Sequence, residues 1–273
     1  MKLTVLGSGT SHGIPVIGCE CPVCKSLDPK DNRMRASLYI EGDDEERVVI
    51  DTGPDFRTQA LRVGLKSLDA VFLTHAHADH VHGLDDVRSL SYEREIPVYG
   101  NAETLKELKE RFSYAFQNTQ RGGGKPRINL NPVRRPVQIG GITLTPIPVK
   151  HGRLDILGWK ISKTNASGPF AVYLTDTSFI PQASLDLIRP PEFQGPEVLI
   201  VGGLRVRPHE THFSFEQALS TGVDIRARHV YLTHICHGHS HREITAICRR
   251  FRNLRGLEDT VMEPGYDRME FVL

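Results

Sequence analysis

The sequence predicts an α+β protein of four layers, αββα, in which two mixed β-sheets pack face to face and helices cover the outside. Three observations predict it. Short runs of β-branched and aromatic residues recur through both halves of the 273-residue chain, with helical periodicity between them. Strands lead in each half and helices follow at intervals, which suits sheet packed on sheet with helices outside. No stretch has a linker's composition, so residues 1–273 read as one domain.

The elements follow in order. Lys2–Leu6 reads as a strand entering the glycine turn Gly7-Ser-Gly9, and Ala36–Ile40 and Arg47–Ile50 as a hairpin around the acidic turn Gly42-Asp-Asp44. Asp55 to Gly64 is a short helix whose apolar face is Phe56, Ala60, Leu61 and Val63. Leu68–Leu73 is a buried strand, Pro97–Tyr99 another, and Ala102–Phe112 an amphipathic helix. Gln120–Arg127 holds too much glycine for regular structure and reads as a mobile loop. In the second half, Ile142–Val149, Leu157–Ser162, Ala171–Leu174, Val198–Val201 and His229–Leu232 are strands. A helix starts at Phe215, capped by Ser214, and a second runs over Arg242–Phe251. Val261 and Met269–Leu273 supply terminal strands.

Composition narrows the function classes. Hydrophobic residues make up 39% and charged residues 25%, an ordinary globular balance. A net charge of +1 supplies no long-range field toward nucleic acid or membrane surfaces. No apolar run approaches the roughly 18 residues of a membrane span. Met1–Leu6 lacks the layout of a signal peptide, so the expected location is cytoplasmic. Five cysteines are present, three of them between positions 19 and 24, which in a cytosolic protein reads as metal binding before disulfide.

The chemistry centres on Thr74-His-Ala-His-Ala-Asp-His80, directly after the apolar run Ala70–Leu73. Three imidazoles and a carboxylate within six residues suit zinc, manganese or iron. One ion cannot easily take all four, so His75, His77, Asp79 and His80 are expected to divide between two ions. A two-metal site favours hydrolysis. Further ligands must come from later strand ends: His151 after Leu144–Val149, Asp176 after Val172–Thr175, and His234 after Val230–Thr233. A Leu-Thr pair precedes His75, Asp176 and His234 alike, and each threonine can anchor a strand end while the next residue turns inward. Asp176 is the bridging candidate, because a carboxylate can hold one cation on each oxygen.

On these residues the chain resembles the metallo-β-lactamase superfamily, whose signature His-x-His-x-Asp-His stands as His75–His80. The resemblance implies the metallo-β-lactamase fold, with His75, His77 and His151 on one metal, Asp79, His80 and His234 on the other, and Asp176 between them. It also implies that Asp51, in Val49-Ile-Asp-Thr-Gly53, supports the metal loop from behind. Asp79 joins the catalytic set through its metal.

Cys19-Glu-Cys21-Pro-Val-Cys24 places three thiolates in one tight turn, within a loop at 18–25. A structural zinc needs a fourth ligand, and Cys236, His237, His239 and His241 are the candidates. The pattern resembles the phosphoribosyl cyclic phosphate phosphodiesterase branch of the superfamily, which implies His237 as that ligand and leaves Cys236 and Cys248 as free, buried thiols. The same resemblance, shared with the tRNA 3′-processing nucleases, implies His212 in Thr211-His-Phe-Ser214 as general acid, with His209 competing for the role. His12 and His82, and the possible phosphate clamps Arg57, Arg88, Arg205 and Arg207, receive no assignment.

The expected activity is hydrolysis of a small cyclic phosphodiester. Two divalent ions, Zn²⁺ or Mn²⁺, would supply a hydroxide that attacks phosphorus in line, and His212 would meet the departing oxygen. The expected partner is that small substrate, without membrane or nucleic acid; the related phosphodiesterases form homodimers. Three alternatives stay open: an RNA 3′-processing nuclease, which would need a longer basic arm than Arg121–Arg127; an ester, lactone or thioester hydrolase; and a non-catalytic binding protein like one of pyrroloquinoline quinone biosynthesis, which also carries a cysteine zinc site.

Overall fold

A computed structural model of the chain describes residues 1–117, 124–189 and 195–273. The expected loop at 120–127 therefore lies outside the described residues at positions 120–123. Two seven-stranded sheets form the centre. In chain order the first contains β1 (Lys2–Gly7), β2 (Ser37–Glu41), β3 (Arg47–Ile50), β4 (Ala70–Phe72), β5 (Ile96–Gly100) and β6 (Ile128–Pro132). The second contains β7 (Val137–Ile139), β8 (Ile142–His151), β9 (Leu154–Lys163), β10 (Phe170–Leu174), β11 (Val198–Gly202), β12 (His229–Thr233) and β13 (Val261–Pro264). The last strand, β14 (Glu270–Val272), returns to the first sheet beside β1.

The first sheet runs β14-β1-β2-β3-β4-β5-β6 and the second β13-β12-β11-β10-β9-β8-β7. Both are mixed. β3 to β6 pair in parallel, as do β10 to β13, and the remaining pairings are antiparallel. The central parallel strands β3, β4, β10, β11 and β12 are short and largely apolar because both faces are covered. In β3, Val48 and Ile50 enter the space between the sheets while Val49 faces outward. In β11, Val198 and Ile200 face inward and Leu199 and Val201 outward. The pleat thus distributes each strand between two apolar layers.

Three such layers separate the four structural ones. The inter-sheet layer holds Leu3, Leu38, Phe72, Trp159, Ile161 and Tyr173. Outside the first sheet, α1 (Phe56–Val63) and α3 (Ala102–Arg111) bring Phe56, Leu105 and Leu108 onto Val49, Val71 and Val98. Outside the second, α5 (Gln182–Ile188), α6 (Phe215–Asp224) and α7 (His241–Leu254) bring Ile188, Leu219 and Ile244 onto Val201 and Leu232. Two single-turn helices, α2 (Ala78–Val81) and α4 (Ser113–Phe116), complete the set. The expected αββα sandwich is the fold observed.

Two details differ from expectation. In α1, Leu61 is 66% exposed, and Gln59 is buried in its place, its side-chain amide donating to the Arg35 carbonyl. A polar group with a bonded donor fits this backbone-lined gap better than a leucine would. Cys248 is buried as expected, but Cys236 is only half-buried. It lies in the loop after β12, where Gly238 leaves its sulfur partly uncovered.

A candidate metal centre at the strand ends

The site forms where strands of both sheets stop. β3 leads to Asp51, β4 leads into the 74–80 loop, β8 ends at His151, β10 leads to Asp176 and β12 to His234. Asp51, Asp176 and His234 each adopt a left-handed backbone, with φ of 64°, 52° and 55°. Such conformations are costly for residues with a side chain and persist where the surroundings enforce them. Each turns its side chain off the strand axis and toward the same centre.

Asp51 organises the 74–80 loop. It is fully buried and accepts from Thr74 N and Thr74 Oγ1, both at 2.8 Å, and from His80 Nδ1 at 2.8 Å. Burial pushes its carboxyl up, yet only the ionised carboxylate can accept from all three donors, so we assign that state. Backbone contact reinforces the pairing. Thr52 N donates to the His80 carbonyl and Gly83 N to the Thr52 carbonyl, both at 2.8 Å. Gly53 lies so close that a Cβ there would sit 2.0 Å from the Asp79 carbonyl oxygen.

Hydrogen bonds fix which ring nitrogen three of the histidines present. The Thr74 hydroxyl gives its one proton to Asp51, so at 3.0 Å it must accept from His75 Nδ1. His80 Nδ1 donates to Asp51, and His151 Nδ1 donates to the Thr211 carbonyl at 2.7 Å. Three imidazoles therefore turn Nε2 lone pairs toward the centre. His75 Nε2 and His80 Nε2 are buried without a hydrogen-bond partner. Burial, with His80 nearby, holds His75 well below the usual histidine range, which keeps it neutral. Such orphaned lone pairs are costly unless a cation meets them.

Two groups result. His75, His77 and His151 bring three ring nitrogens within 4.8 Å of one another. Asp79, His80, Asp176 and His234 do the same a step away. His80 Nε2 lies 3.2 Å from both Asp79 Oδ2 and Asp176 Oδ2, and His234 Nε2 lies 3.2 Å from Asp176 Oδ1. Asp176 also groups with His151 and His212, with its Oδ1 3.0 Å from His212 Nε2. Burial would raise the Asp176 carboxyl, but His234 and His80 outweigh it and hold it well below the carboxylate range. Asp79 is likewise held low, against burial, by His80 and His234. Burial opposes charge on His80, yet Asp176, Asp51 and Asp79 raise it well above its usual value. The same carboxylates that favour a proton on His80 Nε2 would favour a divalent cation in its place, and Asp176 stands between the two groups.

The structure brings together every residue expected in the centre. It also tests the Leu-Thr repeat. Thr74 bonds Asp51 and Thr175 Oγ1 bonds Asp176 Oδ2 at 2.7 Å, whereas the Thr233 hydroxyl is buried without a partner. Two of the three threonines thus anchor the strand end as expected.

The cysteine cluster lies beside this centre. His237 Nδ1 is 3.3, 3.5 and 3.4 Å from the sulfurs of Cys19, Cys21 and Cys24. A tetrahedral zinc with bonds of about 2.3 Å to sulfur and about 2.0 Å to nitrogen separates such ligands by about 3.5 Å. The residues fit that ion. An N–H from Cys24 to its sulfur lowers the Cys21 thiol to about 6 while burial pushes Cys24 up to about 11, so of the two Cys21 stands nearer the thiolate that a metal requires. The cluster joins the N-terminal loop to the segment after β12, where Thr10 N bonds the Ile235 carbonyl and Ile235 N bonds the Ser8 carbonyl.

Of the residues left unassigned, His12, His82, Arg57, Arg88 and Arg207 are exposed. His209 sits on the outer side of His212, with ring centroids 5.0 Å apart. Sequence reasoning missed Thr211 and Gly152. Thr211 contacts both His151 and His212, and Gly152 packs on Thr211.

Sheet order, strand-end ligands and the signature loop together define a metallo-β-lactamase fold. Residues 46–235 match the Beta-lactamase superfamily domain. A crystal structure described as a new diphosphatase from the PhnP family superimposes with a TM-score of 0.84 and is 37% identical, covering 100% of this chain and 97% of that one. The chain therefore belongs to the β-lactamase superfamily, in its PhnP family. An octanoyltransferase of Porphyromonas gingivalis is 40% identical over 240 residues, 87% of this chain but 46% of that protein. Zinc-bound PqqB from Methylobacterium extorquens shares the fold, with a TM-score of 0.77 at 16% identity over the full length of both chains. The chain spans about half the length of the curated relatives it matches. Among the described residues, no helix is long and apolar enough to cross a membrane.

Proposed function

We propose that this chain is a binuclear metal-dependent phosphodiesterase that opens small cyclic phosphodiesters. The carrying observation is His212. Its Nε2 lies 3.0 Å from Asp176 Oδ1, beside both ligand groups, and its ring is half-buried. Ionised Asp176 requires a proton on that nitrogen. A proton donor beside a metal centre suits a reaction whose leaving group is a basic alkoxide.

His75, His77 and His151 would hold one ion, Asp79, His80 and His234 the other, with Asp176 bridging. Zinc or manganese bound there would acidify water and neutralise phosphate oxygens. Asp51 keeps the His80 ring oriented, and the Thr211 carbonyl does the same for His151. His212 Nε2 gives its proton to the departing ring oxygen, so the product is a phosphomonoester carrying a free hydroxyl. Cys19, Cys21, Cys24 and His237 would hold a structural zinc. It would fix the N-terminal loop against the segment that carries His234.

Likeness to a diphosphatase at 37% identity supports hydrolysis at phosphorus, which a phosphodiester and a diphosphate anhydride share. Likeness to an octanoyltransferase favours a second substrate class, a medium-chain acyl ester or thioester.

Purified protein loaded with Zn²⁺ or with Mn²⁺ should be assayed on ribose 1,2-cyclic phosphate, bis(p-nitrophenyl) phosphate, a nucleoside diphosphate ester and p-nitrophenyl octanoate. The cyclic ester should turn over fastest, and His212→Ala should lower its kcat by about 10²–10⁴-fold. Turnover of the octanoate alone would replace the phosphodiester reading with the acyl one.

A further inference from the structure

We infer that Thr211 is a positioning residue that fixes two imidazoles of the centre at once, His151 through its carbonyl and His212 through its hydroxyl. The His212 half of this inference rests on the proposed role of that ring as proton donor.

The His151 half is direct. Its Nδ1 donates to the Thr211 carbonyl at 2.7 Å across 60 residues of sequence. That bond places the ring proton on Nδ1 and leaves Nε2 as the ligand atom. A histidine ligand held in this way keeps its tautomer and its angle.

The His212 half depends on the hydroxyl. Thr211 Oγ1 lies 2.9 Å from His212 Nδ1, while His212 Nε2 faces Asp176. A hydroxyl both donates and accepts. It therefore accepts from a protonated Nδ1 and donates to a bare one. Either way the hydroxyl fixes the ring angle, with Nε2 aimed at Asp176. His209 forms the outer wall of the same pocket. Its Nδ1 accepts from Thr211 N at 3.3 Å and lies 3.2 Å from Thr211 Oγ1 and from His212 Nδ1. An exposed ring with only these contacts closes the pocket, whereas Thr211 touches both inner rings.

Thr211 is itself held. Phe213 N donates to the Thr177 carbonyl at 2.8 Å, and Leu204 N to the Phe213 carbonyl at 2.9 Å, so the chain around position 211 is tied to the ends of β10 and β11. The methyl group packs on Gly152, which follows His151. A Cβ at Gly152 would meet Thr211 Cγ2 at 2.8 Å, and Gly152 has φ of 58°. Gly152 is thus required by its backbone and by the room it leaves for the methyl. The threonine is used in full: carbonyl on one ring, hydroxyl on the other, methyl against the turn that joins β8 to β9.

Two substitutions separate these parts. Thr211→Val keeps the shape and the carbonyl and removes the hydroxyl; Thr211→Ser keeps the hydroxyl and removes the methyl. Both would be loaded with zinc, checked for metal content, and assayed on ribose 1,2-cyclic phosphate and bis(p-nitrophenyl) phosphate. The alkoxide of the cyclic ester needs a proton on leaving, whereas p-nitrophenolate leaves without one. For Thr211→Val we expect kcat on the cyclic ester to fall about 10- to 100-fold with KM unchanged, while the nitrophenyl ester stays within about threefold. Thr211→Ser should return the cyclic-ester rate to within about fivefold of the parent. Equal losses on both substrates, no loss on either, or failure of serine to rescue would each overturn the inference. A second readout is independent of activity. In ¹⁵N imidazole spectra of the zinc-loaded proteins, Thr211→Val should shift the His212 pair and leave the His151 pair in place. If the parent protein cleaves neither diester, the phosphodiester reading fails and the spectra decide the positioning role by themselves. Unchanged His212 nitrogens would then overturn it.

Discussion

At the scale of single residues, hydrogen bonds to Nδ1 turn Nε2 of His75, His80 and His151 toward the centre. Asp51 shows how much one side chain can organise: three donors on one buried carboxylate set the 74–80 loop and the His80 tautomer together. An amide at this position would turn its NH₂ toward at least one donor and release either Thr74 or His80. Asp51→Asn should therefore weaken metal binding by about 10- to 100-fold, read by competition with a chromophoric chelator. Unchanged affinity would reduce Asp51 to a folding residue. The ligands themselves were legible because six residues carry four of them, and because His151, Asp176 and His234 each follow an apolar run. Thr211 was not legible. Its partner His151 is 60 residues away, and one threonine before a histidine carries no local signal. The buried, unbonded hydroxyl of Thr233 shows the converse, a repeated dipeptide whose third copy lacks the hydrogen bond that the other two make.

Elements were legible where both faces of a strand are covered. β3, β4, β10, β11 and β12 are nearly continuous apolar runs, and their predicted limits fall within two residues of those observed. The edges were not. β6, Ile-Asn-Leu-Asn-Pro, is largely polar, and β7 has three residues, so neither stands out from a loop. The helix α5 follows Pro181 and spans only Gln182–Ile188, less than two clear apolar periods. The helix α6 was legible from its cap. Ser214 Oγ accepts from Gln217 N, and the Gln217 side chain accepts from Ser214 N, closing a capping box. Ser214→Ala should cost about 1 kcal/mol and lower Tm by about 2–4 °C. Its effect on turnover should be small, because the chain at His212 is held upstream of the cap by the bond from Phe213 N to Thr177. Urea melts set beside assays at 25 °C would separate the two; a large loss of kcat with intact stability would mean that the cap also positions His212.

At the scale of the whole molecule, the two sheets share one plan, a parallel half joined to an antiparallel half, and the centre lies where the parallel strands β3, β4, β10 and β12 end, with His151 added from the antiparallel β8. Sheet order was not legible in the sequence, since pairing partners such as β1 and β14 lie some 270 residues apart. The N-terminal region is tied to the C-terminal third by a second, buried polar cluster. Arg33 is 1% exposed and bonds Ser8 Oγ, the Gly265 carbonyl and His241 Nδ1. His241 N, at the start of α7, donates to Asp31 Oδ1. Burial first, then Arg33 and Lys30, lower His241 to about 4, against the opposite pull of Asp28 and Asp31. The unfolded chain binds a proton there near pH 6.5, and the folded chain resists it until about 4. This contribution to stability is complete above pH 6.5, falls as the pH drops toward 4 and is flat below. Screening at the open edge of the ring keeps it on the order of 1–2 kcal/mol. His241→Gln carries no such proton and should lose less stability than the parent between pH 7 and pH 5, measured by urea denaturation of the zinc-loaded proteins. The metal ligands titrate in both proteins and cancel in the difference. Parallel pH curves would mean that His241 carries its proton while folded, and that the Arg33 cluster joins the two ends of the chain without making that joint sensitive to acid.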